Sequence, residues 1–126
     1  MLDAFASGFL VFATIATALF QLALVLGAPM GEYAFGGQTP KLPAQYRFSS
    51  AVSFAVMLAI SGHYVAQLGW LSPLLEPDLN AIVNWVLVGF FALAALLNNL
   101  TRSEKEKRLW GGVSIAMLLA GIIVAI

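Results

Sequence analysis

Cysteine is absent from the 126-residue sequence. Its absence excludes disulfide bonds, thiolate metal sites and thiol nucleophiles, and it leaves the redox compartment undetermined. Charged residues are also scarce, because Asp, Glu, Lys and Arg together make up 10% of the chain and their formal net charge is zero. So little charge cannot cover the surface of a soluble domain of this size. A neutral chain also offers no electrostatic basis for binding nucleic acid.

Apolar residues account for 61% of the sequence and are collected in four long runs. The runs are continuous rather than alternating and are rich in Ala and Leu, which favours helices over strands. Each run has about the 17–25 residues that cross a hydrocarbon layer roughly 30 Å thick. We therefore predict an all-α polytopic membrane protein, a single four-transmembrane-helix up-down bundle over residues 1–126. Its helices are expected at about 4–26, 49–71, 80–100 and 104–126.

Basic residues are missing from the N-terminus, where Asp3 precedes most of the first apolar run. A secretory signal peptide has a basic n-region, so the first run is expected to be retained as a helix. All six basic residues fall in the first and third connections: Lys41, Arg47, Arg102, Lys105, Lys107 and Arg108. The positive-inside rule then places loops 28–48 and 101–108 in the cytoplasm and both termini outside. The expected location is the inner (cytoplasmic) membrane, with the lipid bilayer as the main partner.

The first connection, residues 28–48, is rich in glycine and proline. Glycine supplies positive φ angles and proline fixes φ, so this loop is expected to have a defined shape. It forms either a compact cap on the bundle or a re-entrant segment. Glu32 is expected to pair with Arg47, Lys41 or Arg102, and a solvated surface carboxylate is the alternative.

Two of the helix starts carry capping signals. Ser103 and Glu106 fit a capping box, so the fourth helix is expected to begin before the membrane, near Glu104. Asp78 or Asn80 is expected to cap the third helix.

Histidine occurs once, as His63, inside an apolar run. Depth along the predicted helices places it near a group of polar residues that are candidates for ligand binding: Thr14, His63, Gln67 and Asn84. As a functional group, His63 would relay protons, bind a metal or haem, or donate a hydrogen bond to a bound molecule. As a structural group, it would be a neutral imidazole bonded to Thr14, Tyr64 or a backbone carbonyl. A lone histidine is a weak metal signal, and no metal site or particular cofactor is predicted.

A second polar set is predicted toward the cytoplasmic side: Gln21, Glu32, Arg47, Asn98 and Arg102. Buried polar groups need partners in hydrocarbon, so a bond between Gln21 and Asn98 is expected. Thr14 and Thr17 share a helix face with Gln21, and their hydroxyls are expected to bond back to carbonyls of their own helix.

Small residues at four-residue spacing mark two predicted helix–helix seams. One consists of Gly112, Ala116 and Ala120, and the other runs from Ala55 through Ala59 to His63. Small residues let helices approach closely, either within the bundle or against another chain.

The loop pattern G-A-P-x-G-x-x-x-x-G-G, followed by L-P-x-x-x-R-x-x-S, resembles a group of small bacterial four-helix integral membrane proteins. The later stretch LLNNLTRSEKEKRLWGGVS is similar to the L-x-N-x-x-x-x-S-x-x-E-R-x-x-W-x-P stretch of that group, with Gly112 where proline is common. The resemblance extends over nearly the whole chain. It implies a topology and no catalytic residues.

The sequence leaves three classes of function open. The favoured one is an accessory or structural subunit that packs on a larger membrane complex or associates with itself. The alternative is binding or transport of a small molecule, lipid or pigment in a pocket near His63. An enzyme is less favoured, because His63 and Glu32 are the only candidate acids or bases and are predicted at different depths.

Overall fold

The computed structural model describes residues 1–37 and 41–126, and regular structure within them is helical throughout. Four helices dominate: α1 (Leu2–Val25), α2 (Ala44–Gln67), α3 (Pro77–Leu100) and α4 (Glu104–Ala125). Each is long and apolar enough to cross a membrane. The chain is therefore an all-helical protein with four candidate membrane spans. Residues 38–40 of the predicted first loop lie outside the described residues.

The helix bounds differ from the predicted ones mainly in α2 and α3. Helix α2 begins at Ala44 rather than at about 49 and ends at Gln67 rather than at about 71. Helix α3 begins at Pro77 rather than at about 80. The prediction followed the apolar runs, whereas Pro43 and Pro77 start the helices, since proline suits the first helical turn.

Glycines end the first two helices in the same way. Gly27 adopts φ +93° after α1; its N–H donates to Leu24 O over 3.1 Å, and Ala28 N–H donates to Ala23 O over 2.9 Å. This is the Schellman arrangement, in which a left-handed residue turns the chain and satisfies the last carbonyls. Gly69, with φ +80°, ends α2 by the same pattern.

The starts of α3 and α4 differ in their capping. Neither Asp78 nor Asn80 caps α3; its N-cap residue is Glu76, which makes no side-chain cap bond. At α4 the Ser103 hydroxyl accepts from Glu106 N–H over 3.1 Å, which is half of the predicted capping box. The other half is missing, because the Glu106 carboxylate binds elsewhere.

The bundle is closed on three sides. Helix α1 packs against both α2 and α4, and α3 packs against α4. Leu10, Tyr64 and Phe91 lie fully buried among these helices. Along their described lengths α2 and α3 do not pack backbone to backbone. The bundle therefore has a cleft between α2 and α3.

The predicted small-residue seams match the packing only in part, because Ala120 is buried in the core. Gly112, Ala55 and Ala59 are exposed. Helix α4 instead presents Gly111 and Gly121 to its neighbours, and a Cβ on Gly121 would lie 3.0 Å from the Phe91 ring. Small residues on a membrane helix face lipid as readily as protein, so their spacing alone does not select the packed face.

Candidate functional site

Two ends of the bundle are distinguished by charge. We call the end that carries loops 28–48 and 101–108, with all the lysines and arginines, the basic end. We call the end that carries the chain termini and residues 68–76 the acidic end. The structure has a cavity at each end, and the one at the basic end has the more elaborate lining.

The basic-end cavity has a volume of about 220 Å³. All four helices and the first loop contribute to its wall. Its ring-bearing residues are Phe20, Tyr33, Phe35, Phe90, Phe91 and Trp110. Its polar residues are Thr17, Gln21, Ser53, Asn98, Glu106 and Ser114. Aromatic walls with a few convergent polar groups are typical of small-molecule sites.

The first loop forms the roof of this cavity and is docked on the start of α4. The Ser103 hydroxyl donates to Glu32 O over 2.6 Å, and Gly36 N–H donates to Glu106 Oε2 over 2.9 Å. The Phe35 ring stacks on Tyr46 of α2 with centroids 5.1 Å apart. The loop is thereby fastened to two helices, and its Tyr33 and Phe35 reach the cavity.

Glu106 is a buried carboxylate in the cavity wall, with 8% of its surface exposed. Its Oε2 accepts from Gly36 N–H and, over 3.2 Å, from the Thr101 hydroxyl. Both donors are uncharged. The ion pairs among the described residues are elsewhere, between Lys105 and Glu32 and between Lys107 and Glu104.

Gln21 and Asn98 both line the cavity, but the predicted bond between them is not formed. Gln21 Oε1 is buried and has no hydrogen-bond partner among the described residues. An orphaned buried carbonyl oxygen is costly, by about 1–3 kcal/mol, unless a further group satisfies it. The wall of the cavity thus includes a residue with an unsatisfied hydrogen-bond acceptor. Thr17 offers no donor, because its hydroxyl donates to Ala13 O over 2.8 Å.

A π-helical turn at Lys107–Gly111 shapes the α4 side of the cavity. Asn99 Nδ2 donates to Gly111 O over 3.1 Å and to Ala95 O over 2.8 Å, and so joins α3 to this turn. The turn presents Trp110 to the cavity, where its ring meets Phe20 edge-on at 5.0 Å between centroids. Single π turns inside α-helices are frequent at functional sites.

The charged residues of the predicted cytoplasmic-side set make contacts that differ from the predicted ones. Glu32 pairs with Lys105, not with Arg47 or Arg102 as expected. Arg47 instead donates from Nε and Nη2 to Val25 O, over 3.1 and 2.7 Å, and caps the end of α1. Arg102 is exposed. The predicted pairs with Arg47 and Arg102 were wrong because the loop path, which sequence spacing does not give, carries Glu32 to α4.

The acidic-end cavity, of about 460 Å³, lies between α2, α3 and their connection. His63 lines it, and its Nε2 lies 2.7 Å from Asn84 Oδ1 of α3. One turn along, Gln67 and Asn80 exchange bonds of 2.8 and 3.2 Å. These two side-chain bridges span the cleft. The histidine therefore has a structural partner that was in the predicted set, although not the Thr14, Tyr64 or backbone carbonyl expected for it.

The structure thus gives the four residues proposed for ligand binding different contacts. His63, Gln67 and Asn84 take part in the bridges between α2 and α3. Thr14 is fully buried in α1, and its hydroxyl donates to Leu10 O over 2.7 Å, the predicted back-bond. It is not among the residues that line either cavity.

Sequence reasoning missed three residues of the basic-end cavity. Glu106 was interpreted as a capping residue, Trp110 was not singled out as a site residue, and Phe35 was taken for part of the loop. A signal was present for Phe35 only in the two glycines that follow it, and Phe35 adopts φ +51°, a left-handed conformation that is rare for a bulky side chain. Such strain is often found where the surrounding structure fixes a functional side chain.

No protein-family model, curated protein or solved structure matches the chain. Within residues 1–37 and 41–126, no group of three or more His, Cys, Asp or Glu is placed to hold a metal ion. Function is therefore inferred from the basic-end cavity itself.

Proposed function

We propose that this protein spans the inner membrane four times and binds a small lipophilic molecule in the basic-end cavity. The observation that carries the proposal is the ring-lined cavity of about 220 Å³, whose wall includes Gln21 with its unpaired Oε1. A ligand with an apolar body and one hydrogen-bond donor would fill the cavity and satisfy this atom. Phe35, held in a strained conformation over the cavity, supports the same function.

The cleft supplies a route for such a ligand. Ser53 and Met57 of α2 and Phe90 and Ala94 of α3 line the cavity, and these two helices do not pack backbone to backbone along their described lengths. Phe90 is 39% exposed and marks the edge of the opening. A molecule dissolved in the bilayer would enter sideways between α2 and α3, without crossing the charged end of the bundle.

The proposed orientation places the basic end in the cytoplasm. Six basic residues lie at this end, and Asp3, Glu76 and Asp78 lie at the other, which is the asymmetry of the positive-inside rule. Because the chain has no cysteine, a maleimide can react with a single introduced cysteine alone, and single-cysteine variants therefore test the orientation. In intact cells an impermeant maleimide should label Ser72→Cys, whereas Arg102→Cys should react only after permeabilisation. The reverse labelling pattern would contradict the orientation.

Filling the cavity tests the binding function. Ala94 lines the basic-end cavity, so Ala94→Trp should exclude a small lipophilic photoprobe such as 3-phenyl-3-(trifluoromethyl)diazirine. Adducts on peptides containing Gln21 or Trp110, counted by mass spectrometry, are expected to fall about tenfold, since a bulky indole displaces the whole ligand.

Ala92→Trp is the matched control. Ala92 is two residues away on the same helix and is exposed, so the added indole faces away from the cavity. This variant should be labelled as strongly as the unmodified protein. Equal labelling of the Ala94→Trp and Ala92→Trp proteins would refute binding in the basic-end cavity.

Packing on a larger membrane complex, or self-association, is the second candidate function. Ala55 and Ala59 on α2 and Gly89 on α3 are exposed beside the cleft. Small residues in these positions allow another helix to approach closely. Native mass measurement of the extracted protein separates the two candidates, because association adds the mass of whole chains and ligand binding adds that of a small molecule.

A further inference from the structure

We propose that the molecule bound in the basic-end cavity is a lipophilic organic cation, whose ammonium group lies against Glu106 and the surrounding rings. This inference rests on the proposed function and names the chemical class of its ligand.

The charges in the cavity wall are unbalanced. Among the described residues that line the cavity, Glu106 is the only ionisable acid or base apart from the tyrosine, and none is a lysine, arginine or histidine. A buried charge is expensive unless it is paired with an opposite charge. Glu106 has hydrogen bonds from Gly36 N–H and the Thr101 hydroxyl, but it has no ion pair among the described residues. A cationic ligand would provide the missing partner.

The lysine that contacts the Tyr33 ring does not change this balance. Lys105 Nζ is bonded to Glu32 and lies 5.8 Å from the centroid of the Tyr33 ring. Its charge is therefore matched by Glu32 outside the cavity. The same contact shows that the Tyr33 ring accepts a cation on one face.

Aromatic rings favour a cation over a neutral or anionic ligand. Six of the lining residues carry rings, and Trp110, the strongest cation–π partner among side chains, is one of them. The faces of such rings carry negative charge and attract ammonium groups, which is how aromatic cages bind quaternary amines. Gln21 Oε1 adds the negative end of a further dipole. An anion would meet Glu106, this carbonyl and the rings, all of which repel it.

A matched pair of probes tests the charge of the ligand. Phenyltrimethylammonium and tert-butylbenzene have the same shape and differ by one positive charge, and both are small enough for a cavity of about 220 Å³. Binding of each to the purified full chain in phosphatidylglycerol nanodiscs would be measured by equilibrium dialysis against empty nanodiscs. The cation should bind at least about tenfold more tightly than the neutral isostere after this correction.

Glu106→Gln tests whether the negative charge of Glu106 binds the cation. The amide keeps an oxygen that accepts from Gly36 N–H and Thr101 but removes the charge. It should weaken cation binding about tenfold and change tert-butylbenzene binding by less than about twofold. Trp110→Leu provides a second variant should the first fail to fold, with the same selective loss expected. Trp85→Leu, at an exposed site outside the cavity wall, should leave both affinities unchanged.

The outcomes separate the two proposals. If both probes bind equally to the unmodified chain, or if Glu106→Gln and Trp110→Leu leave cation binding intact, the cation inference is wrong while the lipophile site stands. If neither probe binds, the proposed function itself fails. Replacing phosphatidylglycerol by phosphatidylcholine in the nanodiscs identifies the natural source of the bound cation. If phosphatidylcholine weakens the binding of phenyltrimethylammonium, the natural ligand is the choline headgroup of a lipid. If the affinity for phenyltrimethylammonium is unchanged, the natural ligand is a free cation.

Discussion

Replacing Gly37 with alanine is expected to destabilise the folded protein by about 2–4 kcal/mol. Gly37 has φ +72°, and a Cβ there would lie 2.5 Å from Ser103 Oγ and 2.8 Å from the carbonyl oxygen of Glu32. The Glu32 oxygen belongs to the backbone, and the Ser103 hydroxyl is held by its bonds to Glu32 and Glu106, so neither atom can move without breaking the contact between the loop and α4.

Gly36→Ala is the control for that substitution. Gly36 has φ +79°, but a Cβ there meets nothing within 4 Å. The control should therefore cost only the conformational strain of a left-handed alanine, about 1–2 kcal/mol. Unfolding in detergent, followed by circular dichroism, gives both values. Equal losses for the two variants would contradict the docking of the loop on α4, because the collision with Ser103 and Glu32 is what distinguishes them.

Gly111→Ala should destabilise the protein by about 1–3 kcal/mol, even though alanine is the better helix former by about 1 kcal/mol. The new Cβ would lie 2.8 Å from Asn99 Oδ1. Asn99 is fixed by its bonds to Ala95 O and Gly111 O, so relieving the collision breaks the link between α3 and the π turn.

Gly112→Ala is the control for Gly111→Ala. A Cβ added to Gly112 would meet no neighbouring atom within 4 Å, so Gly112→Ala should be neutral or stabilise the helix by up to about 1 kcal/mol. The measurement is again the unfolding midpoint in detergent. Stabilisation by both substitutions would show that the π turn does not pack on Asn99.

The four long apolar helices were predictable because of a constraint that acts on every residue. In hydrocarbon each backbone N–H and C=O must be satisfied within the chain, so a continuous apolar run of sufficient length has few alternatives to a helix. The helix ends followed a different rule. Gly69 ends α2 while the apolar residues Trp70 and Leu71 continue beyond it, and hydropathy does not register a glycine with positive φ.

The sequence predicted the depth of the candidate-site residues along their helices, but it did not predict which side chains contact each other. Gln21 and Asn98 were expected at one level and do line one cavity, but the side chains do not bond, because the rotation of each helix about its axis is set by packing. The contact made by Glu106 was also not predictable, because its partner lies far away in the sequence. Its place three residues after Ser103 indicated a cap, whereas its carboxylate binds Gly36, which is far away in the sequence.

Native mass spectrometry of the protein released from its own membrane tests the central claim, binding of a small molecule in the basic-end cavity, most directly. We expect a single chain that carries one small lipophilic molecule, and loss of that molecule in the Ala94→Trp variant but not in the Ala92→Trp variant. A bare chain, or an assembly of chains with no added small molecule, would contradict the account.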